Sequence, residues 1–526
     1  MTTATTHRPI ADADAREDDR RGRDRSLRGV ALTLLKPLAS LKLTVVLFAL
    51  SIFLIFAATL AQVETGIWQV MEVYFKAPIA WVPLELFVRG SGDAPNASSP
   101  AIPMPGGVVL GSVMLANLLA AHALRFKMKA HGLRLVAGLL GLAVAIGIVY
   151  VFHYVAAPHE LLVNNGLPVL FGLGAVVYAP LIAASAVLFG KRLGIVLVHA
   201  SLILLLVGEG VSAYARHESQ LAIYEGQTVS WSHDIRDVEL AVIEAERGEG
   251  RGARGEGVGT EKVVAIPRAV LTAAAKSGEP ISHPELPFDV VVEMWFKNAT
   301  LFRLPEGGER RAMADAGVGL EAGIRPQPPA SGVGDQRVNM PSAVVRFSKD
   351  GETLGRYIVS VGLQSDDYVF RRQDVPLDPA VGVGPSGELP DDVAAETPHR
   401  EVVLRFERVA MPASFTLHDF RHDLYPGTNV PKNFSSDVRI VNPAANEDRT
   451  VNIYMNHPLR YAGLTFFQSG YLQGNRGTIL QVVENPAAQL PYIACITGGM
   501  GLAIHFALSL GKFLGKRRKM AAKPAA

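Results

Sequence analysis

Lys191–Gln227 reads KRLGIVLVHASLILLLVGEGVSAYARHESQLAIYEGQ, and the rest of the chain is organised around it. Two cations open the stretch. An apolar helix follows, carrying His199 and Glu209, and it gives way to polar, strand-forming sequence. Upstream, the chain from residue 41 onward is almost entirely of membrane type. Downstream, soluble-type sequence runs from 215 to 488, until one last apolar run. Two questions follow: which side of a membrane the polar half occupies, and why a histidine sits inside the helix.

Composition points the same way. Of 526 residues, 49% are hydrophobic and 19% charged, so membrane spans are expected before any is located. The net charge is only +2, and the cations gather at the ends of apolar runs instead of forming a stripe, which argues against a nucleic-acid partner. The single cysteine, Cys495, lies in an apolar run. It excludes an internal disulfide, a Cys-x-x-Cys centre and a cysteine-type zinc site, so any thiol chemistry belongs to a partner.

Six runs reach the length of about 20 apolar residues that a bilayer requires: Leu43–Ala61, Met104–Leu124, Leu135–Tyr154, Leu167–Gly190, Leu193–Tyr214 and Leu490–Leu510. Cation placement orients them. Arg20, Arg21, Arg23, Arg25 and Arg28 precede the first run. Arg125, Lys127, Lys129 and Arg134 lie between the second and third, Lys191 and Arg192 between the fourth and fifth, and Lys512, Lys516, Arg517, Arg518 and Lys519 after the last. The alternate loops, Gln62–Pro103 and Ala156–Gly166, hold few cations. Six spans then put both termini inside and Ala215–Gln489 outside. In the first outer loop Trp68, Tyr74 and Trp81 suit an interfacial segment, while Gly90–Pro105 reads as a loop containing a short Asn96-Ala-Ser glycosylation pattern.

The outer region shows short β-type runs broken by turn clusters: QLAIYEG, VELAVIE, FDVVVEMWF, SAVVRF, RYIVSVG, EVVLRFERV, SDVRIV, RTVNIYM, LTFFQSGY and TILQVVE. Only Pro267–Lys276 suggests an amphipathic helix. An antiparallel sandwich or curved sheet is expected, with flexible insertions at Gly248–Thr260, Glu306–Arg337 and Asp374–His399.

Ionisable residues inside spans are costly and therefore candidates for function. At about 1.5 Å per residue from the inner helix ends, His122 lies roughly 3–5 Å in, His505 roughly 8 Å and His199 roughly 9–10 Å. A neutral imidazole ligates haem iron or another transition metal, and two from different helices can clamp a planar cofactor. The alternative is that each ring hydrogen-bonds a neighbouring helix. His153 and His159 flank the outer end of the third run, six residues apart, where an outer imidazole site or a solvated loop are both open. Glu209 sits near the outer end of its helix, at headgroup level. His418, Asp419 and His422 lie close in sequence, but strand positions four apart share one face and are commonly just exposed. The chain has no phosphate-binding glycine loop, no Gly-x-Ser-x-Gly, no His-Glu-x-x-His and no dinucleotide fingerprint.

The segment FRHDLYPGTNVPKNFSSDVRIVNP…RTVNIYMNHPLRYAGLTFFQSGY resembles the ResB family of cytochrome c biogenesis proteins. The resemblance rests on Tyr425-Pro426-Gly427, the turn ending at Asp437, Asn456 and Pro458 of Asn-His-Pro-Leu, Tyr461-Ala-Gly463, and Phe467-Gln468-Ser469. Further support comes from Glu225-Gly226-Gln227 after the hinge helix, LASLKLTVVLFALSIFLIFAATLAQ near the start, and Leu115-Ala-Asn117-Leu in the second run. It implies a subunit of system II cytochrome c maturation, not an enzyme on its own, partnered by a ResC-type tryptophan-rich membrane protein. The implied cargo is haem b in transit to apocytochrome c, with His199 as the candidate membrane ligand and His505 and His122 beside it. A thioredoxin-like thiol reductase belongs to the same pathway. The common family form has three spans before the outer domain where this chain has five. The inserted pair brings His153 and His159, candidates for an outer haem or partner contact.

The expected protein is therefore a membrane protein of six transmembrane α-helices plus a large extracytoplasmic β-rich domain, in a bacterial cytoplasmic membrane. Residues 1–40 form a cytoplasmic disordered tail, and 41–214 a five-helix region in which 133–190 is the inserted pair. Residues 215–488 are the ResB-like domain, 489–511 the last helix and 512–526 a basic tail. Two competing functions stay open: a membrane-anchored scaffold or chaperone for apocytochrome that does not bind haem, and a proton-coupled transporter using Glu209 and the membrane histidines.

Overall fold

The computed structural model describes residues 33, 35–87, 100–125, 128–155, 159–245, 261–305, 313–330, 338–363, 371–428, 431–472, 474 and 476–521. Of the expected tails 1–40 and 512–526, residues 1–32, 34 and 522–526 lie outside them, as do the Asn96 pattern and the whole Gly248–Thr260 insertion, whereas 512–521 are helical. The chain divides into two compact units, Met1–Arg216 with Pro486–Ala526, and His217–Asn485.

The first unit is helical: α1 (Leu41–Thr65), α2 (Gly107–Arg125), α3 (Leu133–Tyr150), α4 (His159–Phe189), α5 (Leu193–Ala215) and α6 (Leu490–Ala521). Among the described residues, five stretches are long and apolar enough to cross a membrane, where the sequence pattern predicts six. The difference lies at α4 and α5. Only a 3-10 turn, Gly190–Arg192, separates them, so Gly174–Ala215 forms one continuous apolar stretch of 42 residues. Gly190 takes φ +56° there, a left-handed conformation that costs glycine little.

Small residues set the helix contacts. A β-carbon added to Gly194 of α5 would lie 2.7 Å from the Gly501 carbonyl and the His505 amide of α6. One on Gly498 would lie 2.6 Å from Ser201 Oγ. The backbones can approach this closely only because no side chain intervenes. Polar bonds tie α1 to α2: Thr44 Oγ1 donates to Asn117 Oδ1 at 2.8 Å, and the buried Asn117 amide donates to the Ser40 carbonyl at 3.2 Å. Between these helices, β1 (Ile79–Pro83) pairs antiparallel with β2 (Ala101–Pro105).

The second unit is antiparallel β: β3 (His217–Tyr224), β4 (Thr228–Ala245), β5 (Glu261–Pro267), β6 (Asp289–Phe296), β7 (Ala299–Arg303), β8 (Ala322–Pro326), β9 (Ser342–Lys349), β10 (Glu352–Ser360), β11 (Gln373–Pro376), β12 (His399–Leu424), β13 (Pro431–Asn442), β14 (Glu447–Tyr454), β15 (Leu459–Tyr461), β16 (Leu464–Tyr471) and β17 (Gly477–Glu484). The main sheet runs β14-β13-β12-β4-β3-β17-β16-β15, with β11 also on β12 and β5 also on β4. A three-stranded sheet, β10-β9-β6, and the β7–β8 pair complete the unit.

Two strands are too long for one core. β4 has 18 residues and β12 has 26, and their mutual register slips between Phe406 and Arg408 and again between Ala410 and Phe415. Such irregularities bend a strand and re-aim its faces. Before the slips, Val402, Leu404 and Phe406 pack with Leu240, Val292, Phe347, Tyr357 and Leu271 of the short helix Arg268–Ser277. After them, Phe415, Leu417 and Phe420 pack with Ile223, Val438, Ile453, Phe466 and Leu480. Phe415 and Phe466 are fully buried, each contributing about 1.5–3 kcal/mol by leaving water.

The described parts of two expected flexible insertions contribute core residues. Within Glu306–Arg337, Ala314, Val318 and Ile324 are buried; within Asp374–His399, Val375 lies in β11, and Val383 and Leu389 are buried too. Glycine and proline in these stretches make turns around scattered apolar anchors, a pattern that periodicity does not register.

Candidate functional site

Two predicted residues meet inside the helical unit. The rings of His122 on α2 and His199 on α5 touch edge to face, their centroids 4.9 Å apart at 82°. His122 Nδ1 lies 3.2 Å from the Leu118 carbonyl, which can only accept, so Nδ1 carries the proton and a neutral ring has its lone pair on Nε2. His505 lies elsewhere. Its main chain packs on Gly194, and its ring stands 6.0 Å from Phe506.

The inserted pair has a different histidine environment. A π-turn, Val151–Val155, continues α3 and turns His153 inward, to 7% exposure. Its Nε2 is 3.0 Å from the hydroxyl of Tyr178 on α4, itself fully buried. The surrounding apolar cluster joins Ala145, Val149, Val177 and Leu181 to Ile493, Ile496 and Met500 of α6. Tyr154 donates to the Pro486 carbonyl at 3.3 Å, so the pair holds both α6 and the residues leading into it. His159 opens α4. Glu209 and Cys495 are exposed. Nothing in the sequence pattern marks Tyr178, which sits in an apolar run like any core aromatic.

In the β unit each motif residue has a structural task. Thr428 N–H donates to the Tyr425 carbonyl at 3.1 Å across Pro426 and Gly427, and Gly427 takes φ +75°, as a type II turn demands. Asp437 accepts from Arg421 at 3.1 Å and from the Asn452 amide, joining β12, β13 and β14. Asn456, at φ +64°, sits in a tight turn closed by His457 N–H onto the Tyr454 carbonyl at 2.9 Å. Pro458 then leads into β15. Ala462 and Gly463 form the two-residue β15–β16 hairpin, with φ +49° and +83°. Gln468 completes a buried network: Ser436 Oγ donates to its Oε1 at 2.7 Å, and its Nε2 donates to the Gly470 carbonyl at 2.8 Å.

Glu225-Gly226-Gln227 ties the same end of the sheet. Phe420 N–H donates to Glu225 Oε1 at 3.0 Å, and Tyr224 N–H to Gln227 Oε1 at 3.0 Å. Also at this end His422 stacks on Phe434 at 4.6 Å and meets Tyr471 at a tilt, 5.0 Å away. Of the residues flanking Asp419, His422 is thus a stacking partner. Among the described residues, no group of three or more His, Cys, Asp or Glu is placed to hold a metal ion.

Charges in this unit are organised in pairs. Arg405 and Glu239, both buried, meet at 2.8 Å across β12 and β4. Beside them burial raises the Glu407 carboxyl, helped by Glu239, Asp234 and Asp237 and opposed by His217. His233, largely buried between Arg408 and Arg405, is pushed down to about 4, mainly by desolvation.

Residues 399–491, which contain all eight motif positions from Tyr425 to Gln468, match the ResB-like family. The chain carries a ResB-like segment. Protein NrfI of Wolinella succinogenes is 31% identical over 96 residues, 18% of this chain and 11% of that protein. Cytochrome c biogenesis protein CcsB of Crocosphaera subtropica is 40% identical over 68 residues, 13% of this chain and 15% of that one. The CcsB of Picosynechococcus sp. is 34% identical over 86 residues, 16% and 18% of the two chains. The similarity therefore spans less than a fifth of the length of each of these relatives. The family match, residues 399–491, covers the turns, the Asp437 clasp and the Gln468 network just described.

Proposed function

We propose that this protein is a membrane subunit of system II cytochrome c biogenesis that helps move haem across a bacterial cytoplasmic membrane and present it to apocytochrome c. The ResB-like segment carries the reading, and the relatives named CcsB point to the same process. The 42-residue stretch Gly174–Ala215 amounts to about 63 Å of helix, twice the roughly 30 Å hydrocarbon thickness. Two crossings with the turn at Gly190–Arg192 follow, giving six spans. The cations Lys191 and Arg192 put that turn inside and the β unit outside.

Haem is the cargo in this reading, and the touching rings of His199 and His122 are its station on the inner side. One iron held by both nitrogens at about 2 Å needs ring centroids roughly 6 Å apart, against the observed 4.9 Å. Holding one iron between them requires the two rings to separate from this contact. The thioether chemistry then belongs to a ResC-type, tryptophan-rich partner, with a thioredoxin-like reductase keeping apocytochrome thiols reduced. The chain's single cysteine fits that division.

Absorption spectroscopy of the full-length protein, purified alone and with its partner, tests this. A Soret band that falls several-fold in both His199→Ala and His122→Ala, at unchanged protein yield, is the expected result. A colourless protein that still captures apocytochrome would replace haem handling with a scaffold role. A Soret band indifferent to both substitutions would remove the histidine pair from the path.

A further inference from the structure

The segment joining α1 to α2 is built unlike an aqueous loop. After α1 the chain turns at Gly66, makes the helical stretch Ile67–Val70 and a π-turn Met71–Lys76, and then enters the β1–β2 pair. A β-carbon on Gly106 would fall 1.9 Å from the Ala77 carbonyl oxygen, and one on Gly107 would fall 2.8 Å from the Phe75 ring. The start of α2 is thus seated directly on this segment. One face is core: Val70, Tyr74, Ala80, Val82 and Met104 pack with Leu54, Ala57, Ala58 and Ala61 of α1. Tyr74, an expected interfacial aromatic, is therefore a core residue. The other face carries Ile79 and Trp81, 53% and 57% exposed, with the exposed Pro103 paired opposite Trp81.

Depth decides what covers that face. Phe87, just beyond β1, stacks on Phe53 at 5.6 Å and on Phe56 at 6.1 Å, both on the outward surface of α1. The apolar part of α1 continues to Val63. At about 1.5 Å per residue, Phe87 then sits roughly 10–15 Å below the outer end of that span. The contacts Thr44–Asn117 and Ser51–Met114 fix the antiparallel register of α1 and α2 and put Phe53 and Phe56 level with the first turns of α2. The segment hangs beside the outer part of the span.

A two-stranded hairpin has unpaired edges, which hydrocarbon does not tolerate. The headgroup–acyl boundary satisfies both demands, since apolar faces bury about 5–10 Å into it while backbone edges stay hydrated. Tryptophan prefers that level.

We propose that Ile67–Phe87 together with Ala101–Pro105 is a lipid-binding element lying in the outer leaflet, with Ile79, Trp81 and Pro103 against acyl chains and Phe87 as its deepest residue. The element rests on the membrane reading of α1 and not on haem transport. The test reconstitutes the full chain in phosphatidylcholine nanodiscs brominated at acyl carbons 6 and 7, or at 11 and 12. Tryptophan emission is compared between the parent and Trp81→Phe, an exposed site whose exchange leaves the fold intact. The parent-minus-variant emission should be quenched at least twofold by the 6,7-dibromo lipid and less by the 11,12-dibromo lipid. A Trp68→Phe/Trp231→Phe/Trp295→Phe chain, retaining Trp81 alone, should repeat the pattern. Trp81 emission untouched by either lipid but quenched by aqueous iodide would overturn the proposal. A helix span probed the same way, with Phe53→Trp, should be quenched in either case.

Discussion

At the scale of single residues, burial decides more than identity. His233 is the clearest case outside the helices. Burial, reinforced by Arg408, pushes its pKa down to about 4, so the fold holds the neutral ring. The unfolded chain regains the ordinary value near 6.5 and takes up the proton first. Stability therefore falls as pH drops from about 6.5 towards 4, by as much as about 3 kcal/mol, and is flat above. Thermal unfolding of the full chain in detergent at pH 7 and pH 5 should show a lower Tm at pH 5, and His233→Asn should remove part of that difference. Arg405 makes a parallel prediction. Its truncation to Ala strands the buried Glu239 carboxylate and should cost about 3–5 kcal/mol, whereas replacing both partners together with Met and Leu should restore much of the loss. Equal damage from the single and double variants would show that the site cannot accept apolar side chains.

Elements show what the sequence pattern can carry and where it stops. All ten β-type runs read between turn clusters are strands, because β-branched and aromatic residues suit a pleated surface and the turn residues between them end each run. Helix α5 was legible as an apolar run between cations, and its histidine was legible as costly. That it meets His122, and not His505, depends on helix rotation set by Gly194, Gly498 and Gly501, which no single-helix pattern encodes. The π-turn that carries His153 to Tyr178 was equally invisible, since one extra residue in a turn leaves composition unchanged. The α5–α6 crossing gives the prediction at this scale. Gly501→Leu puts a side chain where Leu197 Cβ and Val198 N lie within 2.9 Å of the first added carbon. Steady-state protein in membranes should fall several-fold, while Gly499→Leu, where the added carbon meets nothing within 4 Å, should leave it unchanged. Equal levels for the two variants would mean that α6 is held by something other than this close approach.

For the molecule as a whole, the β unit poses the question of how many things it is. Its two cores share no central residue, yet β4 and β12 pass through both. A strand that leaves one core intact while frayed in the other must give up ladder bonds at the register slips, where pairing is already weakest. If those slips act as hinges, the cores melt separately; if the strands transmit order, they melt as one. Continuity of both long strands favours one cooperative transition. Phe466 tests it, because it is fully buried in the core that lacks Trp295, while Trp295 packs against the other. Phe466→Ala should cost about 3–5 kcal/mol locally. In a full chain whose other three tryptophans are Phe, urea unfolding followed by Trp295 emission should move its midpoint down by the same free energy. A Trp295 transition that ignores the substitution would mean two independent halves. The ResB-like segment, which straddles the slips from residue 399 onward, would then be a hinge between them instead of a single scaffold.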